Sequence, residues 1–432
     1  MEKICVVGLG YIGLPTASLL ATKGFQVRGV DVNPKVVEII QRGDIHIFEP
    51  DLDIMVKSAV NSGNLKASTE MAESDIFILA VPTPFREGHK ANMDFVESAV
   101  KAIAPFVKPG NLVVLESTSP VGTTEEIGRW LRDLRPDLNI PQCRKIEPKA
   151  RAVGYSADFP KGSVDSEQIY LAHCPERVLP GQILRELIDN DRIIGGVDSS
   201  SSLKAKAFYK KFVNGNIYLT DARTAELTKL AENAFRDVNI AFANELSMIC
   251  DHLHINVWDL IRLANRHPRV KILQPGPGVG GHCIAVDPWF IVESAPEQSK
   301  LIRIAREVND SKPHYIASRI RESAGRLKDP IIACIGLTFK PDVDDLRESP
   351  AIEVVQLLAQ EKVGQIMIVE PHIKKLPTAL ENFDQLELVS LDQALKEADI
   401  LVLLVQHQEF LNIDRGLLKE KVVFDTRGIW VG

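Results

Sequence analysis

A short β-branched run, KICVV at residues 3–7, enters the turn GLGYIG, and the helical pattern LPTASLLATKG follows and is stopped by Gly24. Gly8, Gly10 and Gly13 therefore form G-x-G-x-x-G between a strand and a helix. The first two glycines allow a tight turn and close approach of a pyrophosphate, and the third lets helix pack on strand. The next strand, FQVRGVD, ends in Asp31, 18 residues beyond Gly13. A carboxylate at that position accepts hydrogen bonds from ribose hydroxyls and repels a 2′-phosphate, which predicts NAD rather than NADP. Gly8, Gly10, Tyr11, Ile12, Gly13 and Asp31 are the cofactor-binding candidates of this unit.

Buried-strand runs recur at Asp75–Pro84 (DIFILAVPTP) and Asn111–Thr118 (NLVVLEST). Strands alternating with helices imply a parallel sheet with helices on both faces. The pattern starts again at PIIACIGLTFK, Pro330–Lys340. It continues through helix SPAIEVVQLLAQE, strand QIMIVEP, helix SLDQALKEA and strands DILVLLV and KVVFDTRG. Between the two halves the spacing predicts a long helix over Thr224–Leu253, with Leu227, Leu230, Ala234, Val238, Ala241 and Phe242 as its apolar stripe. The expected architecture is α/β: two Rossmann-like doubly wound domains joined by a long central helix. The boundaries are 1–212 for the NAD-binding domain, 213–315 for the central helical region and 316–432 for the second α/β domain. The stretch from Pro136 to Gln168, rich in Pro, Ser, Gly and charge, reads as a surface excursion.

At 432 residues, 45% hydrophobic and 25% charged, the chain has the composition of an ordinary globular protein of two or three domains. No apolar run approaches membrane-spanning length, and the N-terminus lacks the marks of a signal peptide. Six scattered cysteines without metal-type spacing predict reduced thiols and a cytoplasmic location. A net charge of −7 argues against a nucleic-acid partner.

Thr83 in VPTP and Thr118 in ESTSPVGTT close expected parallel strands, at the sheet edge where ligands bind, and are cofactor-site candidates. Thr124 reads as well as a helix N-cap. Lys229 and Asn233 lie four apart in ELTKLAENAF, with Arg236 three further on, so they share a helix face that is either solvated or turned to a ligand. The segment GPGVGGHC places Cys283 after a run of glycines, with Asp287 four residues on. Its thiol is either packed where a bulky neighbour cannot fit or approached closely by a ligand. A zinc site at His282 and Cys283 lacks a second pair of suitable spacing, so no metal is expected.

Taken in order, GLGYIG, Asp31, VPTP, EST, CPE, TKLAEN, GPGVGGHC and FKPDVDDLRESP resemble the UDP-glucose/GDP-mannose dehydrogenase family over nearly the whole chain. The resemblance implies NAD-dependent oxidation of a nucleotide-sugar C6 alcohol to a carboxylate. By that resemblance Cys283 is the nucleophile, forming a thiohemiacetal and then a thioester that water hydrolyses. Lys229 and Asn233 polarise oxygen on the reacting carbon, Lys229 also helping with proton transfer, Asp287 supports Cys283 and Lys229, and Thr118 and Glu176 match positions near the water and the hydrolytic step. Arg177, Val178, Arg236, Gly280, Lys340 and Arg347 match or neighbour substrate-contact positions, with Arg347 also near the cofactor. His267 and Arg269 add contacts from the HPRV loop. The partners implied are a UDP-sugar and further copies of the chain, at least a homodimer assembled through the central helix.

Within the family, NRHPRVKILQPGPGVGGHCIAVDPWFI is most similar to the branch acting on UDP-N-acetyl-D-mannosamine, with the gluco epimer as the alternative. Pro180 and Val286 stand where the UDP-glucose branch carries an acid and a lysine. Two other readings compete. A two-electron β-hydroxyacid-type dehydrogenase needs neither Cys283 nor the second α/β domain, and a non-catalytic NAD-binding protein has no use for Cys283, Lys229, Asn233 and Asp287 together.

Overall fold

The computed structural model describes residues 2–142 and 167–430, which fall into two compact units, 1–231 and 232–432. Most of the excursion expected at 136–168 lies outside the described residues. Its flanks are tied, the Ile169 N–H donating to the Asn139 carbonyl at 2.9 Å.

In the first unit the strands are β1 (Lys3–Val7), β2 (Gln26–Val30), β3 (Leu65–Ser68), β4 (Ile76–Leu79), β5 (Phe85–Arg86), β6 (Lys90–Ala91), β7 (Leu112–Leu115), β8 (Tyr170–His173), β9 (Arg192–Gly196) and β10 (Ile217–Asp221). Eight of them form one sheet, ordered β10-β9-β8-β7-β4-β1-β2-β3, while β5 and β6 make a small hairpin. From β3 to β8 all neighbours are parallel. The edge pair β9–β10 runs antiparallel to β8, a departure from the all-parallel expectation. Successive residues of β1 feed opposite faces. Ile4 and Val6 join one core with the helix Gly13–Thr22, and Cys5 and Val7 join another with the helix Asp94–Ile103. Burial on both faces is why these strands read as continuous apolar runs.

The second unit repeats the plan with β11 (Ile331–Ile335), β12 (Gln365–Val369), β13 (Leu386–Leu388), β14 (Ile400–Leu403) and β15 (Val422–Asp425), all parallel and ordered β13-β12-β11-β14-β15. Ile332 and Cys334 face one core, Ala333 and Ile335 the other. Ser349 caps the helix Pro350–Gln360 by accepting the Ala351 N–H, and Ser390 caps Leu391–Glu397.

The long helix runs from Ala222 to His252, within two residues of the expected limits. Its stripe needs correction. Leu230, Ala234 and Ala241 are buried, but Leu227 and Phe242 are exposed, and so are Phe235 and Ile249. Phe235, Phe242 and Ile249 recur every seven residues, a second apolar seam that the core does not use. Among the described residues no helix is long and apolar enough to cross a membrane.

Candidate active site

The carboxyl edge of the first sheet gathers the cofactor candidates. A Cβ at Gly13 would lie 1.8 Å from the Gly8 carbonyl oxygen, and one at Gly8, whose φ is +91°, would lie 2.6 Å from the Ala80 carbonyl oxygen. Both positions are closed to any side chain. Gly10 meets nothing within 4 Å and faces open space. The helix Gly13–Thr22 has no side-chain cap at Ile12, so its N-terminal N–H groups point to the same side without a side-chain acceptor. Asp31 follows β2, and its carboxylate accepts the Leu9 and Asn33 N–H groups, each at 2.9 Å. That ties the acid to the glycine turn. An open glycine, an uncapped helix start and an adjacent carboxylate are what a dinucleotide needs, so the residues present fit NAD. Tyr11 is exposed beside them.

Thr83 and Thr118, taken from separate motifs, meet directly. The Thr83 hydroxyl donates to the Thr118 carbonyl at 2.6 Å, joining the loops after β4 and β7. Thr124 plays a different part. It lies inside the helix Thr123–Leu134, and its N–H and hydroxyl both donate to Glu226 at 2.8 and 2.6 Å, while the Gly122 N–H donates to the other oxygen at 2.6 Å. The helix is thus capped from outside by Glu226, whose carboxyl burial pushes up to about 7.

Glu176, in the loop after β8, is buried against Arg192 at 2.5 Å and accepts the Arg177 N–H at 2.7 Å. Arg177 donates to the Asp191 carbonyl, and Val178 packs on the apolar core. Glu49 was not singled out by the sequence. It is buried and accepts the Gly181 and Ile183 N–H groups at 2.8 and 2.7 Å, fixing the loop that carries Arg177 and Val178.

In the second unit Cys283 sits one turn before the helix Asp287–Ser294, its carbonyl accepting the Val286 and Asp287 N–H groups at 3.1 and 2.9 Å. Among the described cysteines Cys283 is exposed, whereas Cys5, Cys174, Cys250 and Cys334 are buried. Burial pushes the Cys5, Cys174 and Cys334 thiols up to about 12, so they stay protonated at neutral pH. Among the described cysteines, the exposed Cys283 is the candidate for thiolate chemistry. Asp287 is buried and receives the Asn233 side-chain amide at 2.5 Å, so these two candidates, 54 residues apart, are in contact. Lys229 lies one turn before Asn233 on the long helix, half-buried, and Arg236 follows, exposed.

The glycines before Cys283 have a packing reason of their own. A Cβ at Gly276 would sit 2.6 Å from the Arg427 guanidinium, at Gly280 2.4 Å from the Glu348 carbonyl oxygen and at Gly281 2.9 Å from the Phe339 ring. The loop 339–350, carrying Lys340 and Arg347, is pressed onto the glycine run, and the Gly281 N–H donates to the Arg347 carbonyl at 3.2 Å. Arg347 forks onto Asp345, and Lys340 lies over the Phe339 ring. Arg427 was missed because it follows the last strand in a plain turn; a cation in that position was the available signal. His267 and Arg269 lie exposed beyond the helix Val257–Ala264, the Arg269 N–H donating to His267 Nδ1 at 3.3 Å.

Asp342, His372 and His407 offer ligand atoms within 4.8 Å of one another. His407 is already engaged, with Nδ1 accepting the Asp342 N–H at 2.9 Å and Nε2 facing Glu370 at 3.1 Å. This trio is read as packing.

Three domain models of the UDP-glucose/GDP-mannose dehydrogenase family match the chain: the NAD binding domain over residues 2–213, the central domain over 223–311 and the UDP binding domain over 333–431. An NDP-N-acetyl-D-galactosaminuronic acid dehydrogenase of Ralstonia nicotianae is 56% identical over 99% of this chain and 96% of its own length. A UDP-N-acetyl-D-mannosamine dehydrogenase of Campylobacter jejuni is 55% identical over 95% of this chain and 97% of its own. Among solved structures, that of a UDP-D-ManNAc dehydrogenase from Pyrococcus horikoshii superposes with a TM-score of 0.84 at 36% identity, covering 99% and 96% of the two chains.

Proposed function

The chain belongs to the UDP-glucose/GDP-mannose dehydrogenase family and is an NAD-dependent UDP-sugar dehydrogenase, and from that premise we propose that it oxidises the C6 hydroxyl of UDP-N-acetyl-D-mannosamine to the uronate. The observation that carries the four-electron chemistry is the exposed Cys283 thiol, beside a buried Asp287 that holds Asn233. Gly8, Gly10, Gly13 and Asp31 would hold NAD, which would supply the electron acceptor for each oxidation. The residues of the chain do the rest. Lys229 takes the C6 hydroxyl proton, and Asn233, fixed by Asp287, donates to the oxygen on the reacting carbon. The Cys283 sulfur then adds to the aldehyde carbon, giving a thiohemiacetal whose oxidation leaves a thioester. Thr118 and Glu176 serve water in its hydrolysis. Arg177, Val178, Gly280, Lys340, Arg347, His267 and Arg269 hold the nucleotide sugar, with Arg236 nearby. Arg427, packed under the glycine run, adds a positive charge.

The acetamido preference rests on the HPRV segment, on Pro180 and Val286 in this sequence, and on the substrates for which the relatives are named. A site shaped around an acetamido group leaves a void and unmatched polar groups when a bare hydroxyl is offered. NADH formation with UDP-linked N-acetylmannosamine, N-acetylglucosamine, N-acetylgalactosamine and glucose tests this. Highest kcat/KM is expected for the manno sugar. Equal values for it and UDP-glucose refute the assignment, and a higher value for the gluco epimer promotes that alternative. We retain the three-part division 1–212, 213–315 and 316–432. The exposed Phe235, Phe242 and Ile249 seam supports a homodimer through the long helix. Light scattering of Phe242→Glu checks it, a monomer being expected.

A further inference from the structure

By the loops after β7 and β8 lies a cluster of titratable groups of which the mechanism above uses Glu176 alone. Glu116, directly after β7, and Glu176, after β8, are both buried. Glu176 faces Arg192 Nη1 at 2.5 Å and the Arg177 N–H at 2.7 Å. Glu116 Oε1 accepts the Tyr209 hydroxyl at 2.6 Å, and its Oε2 has no hydrogen-bond partner among the described residues. The charged and titratable groups facing Glu116 are Glu176, Arg192 from β9, Tyr209 from the helix Ser199–Tyr209, and Cys174. Arg192 is the one cation among them, and its Nη2 is committed to the Leu187 carbonyl at 2.9 Å.

Two buried carboxyl groups that share one countercharge cannot both ionise without leaving a charge uncompensated. Hydrogen bonds from a cation and a backbone N–H favour the charged form of a carboxylate, so the shared proton rests on Glu116. Burial, joined by the charge of Glu176, pushes the Glu116 carboxyl up to about 7.

We propose that Glu116 is a positioning residue for thioester hydrolysis, the partner whose ionised carboxylate drives Glu176 to take up a proton as the base. This rests on the reading in which Glu176 serves the hydrolytic step. When both carboxylates are ionised, the cluster carries one negative charge in excess. Moving a water proton to Glu176 relieves it; the water oxygen bonds to the thioester carbon, the C–S bond breaks, and its electron pair leaves on the Cys283 sulfur. When Glu116 holds its proton, Glu176 is already balanced by Arg192, and that relief is gone. Hydrolysis is therefore faster above neutrality than below it.

The test is rapid-quench measurement of acid formed in a single turnover with NAD and UDP-N-acetyl-D-mannosamine, between about pH 5.5 and 8.5, a range bracketing one carboxyl ionisation. Wild-type hydrolysis is expected to rise roughly tenfold per pH unit below the midpoint and to level above it. Glu116→Gln keeps an oxygen for Tyr209 but cannot ionise, so the rate should stay flat at the slow, low-pH level. Tyr209→Phe removes a donor that favours ionised Glu116, so the midpoint should move up by about one unit. Both variants should form the first NADH at the wild-type rate. A wild-type profile in Glu116→Gln overturns the proposal. If that variant does not fold, an unmoved midpoint in Tyr209→Phe overturns it. Wild-type enzyme that forms no acid from the sugar overturns the functional reading instead.

Discussion

Replacing Gly10 and Gly13 by alanine, one at a time, should separate cofactor binding from folding. At Gly13 the new methyl would lie 1.8 Å from the Gly8 carbonyl oxygen, about half a normal contact distance, so turn and helix must move apart. Overpacking with a backbone shift costs about 1–3 kcal/mol, and a unit of this size loses about 2–4 °C in Tm per kcal/mol. At Gly10 the methyl meets nothing within 4 Å, and the backbone there is not left-handed. The fold should not register it. The methyl instead stands where a pyrophosphate approaches the uncapped helix start. One charge-assisted hydrogen bond lost from N–H to phosphate is about 1.5–3 kcal/mol, or roughly a 10- to 150-fold weaker NAD Kd. Calorimetric titration with NAD and thermal melting without it read the two effects. Gly10→Ala should bind NAD weakly with an unchanged Tm, and Gly13→Ala should melt lower. Gly10→Ala binding NAD like wild type, or melting as low as Gly13→Ala, refutes the reasoning.

Asp31→Ala should narrow the preference for NAD over NADP by removing both the repulsion of the 2′-phosphate and the ribose acceptor; kcat/KM with the two cofactors measures it. The buried Arg306–Asp237 pair, 2.5 Å apart and fully enclosed, should make Arg306→Leu lose about 3–5 kcal/mol in urea unfolding, because Asp237 is left uncompensated. Asp237→Asn in the same background should recover part of it. Glu226 binds its proton more tightly in the fold than in the open chain, its carboxyl being raised from 4.5 to about 7 by burial. Its contribution is therefore whole below pH 4.5 and lost as pH rises through 7, a fall of about 3 kcal/mol. Urea midpoints of Glu226→Gln should show a shallower fall across that window.

The strands buried on both faces were legible because both alternating sets of side chains are apolar, as in Ile76–Leu79 and Ile400–Leu403. Two outer strands of the first sheet were not. Leu65–Ser68, at one edge, alternates buried and exposed over only four residues, and Arg192–Gly196, next to the other edge, begins on a charge and ends on two glycines. The long helix was found from its period, but the stripe mixed two faces, since a spacing of three and four cannot distinguish a core seam from a second apolar seam beside it. Cys283, Asn233 and Asp287 were named from motifs, yet the contact between Asn233 and Asp287 depends on tertiary packing. Glu116 and Glu49 escaped notice because their partners lie 93 and 132 residues away, far outside any local window. Arg192 and Arg427 escaped notice because a cation beside turn residues carries no motif of its own.

The central claim, that the Cys283 sulfur carries the oxidation past the aldehyde, is tested by single-turnover product analysis of Cys283→Ser with UDP-N-acetyl-D-mannosamine and NAD. Wild-type enzyme should give uronate with two NADH per sugar. The serine variant should bind the nucleotide sugar but fail to turn over steadily to acid, because an alcohol ionises far less readily than a thiol and its ester forms and breaks more slowly. Uronate formed by Cys283→Ser at the wild-type rate would show that the exposed thiol is not the nucleophile, and the account would be wrong at its core.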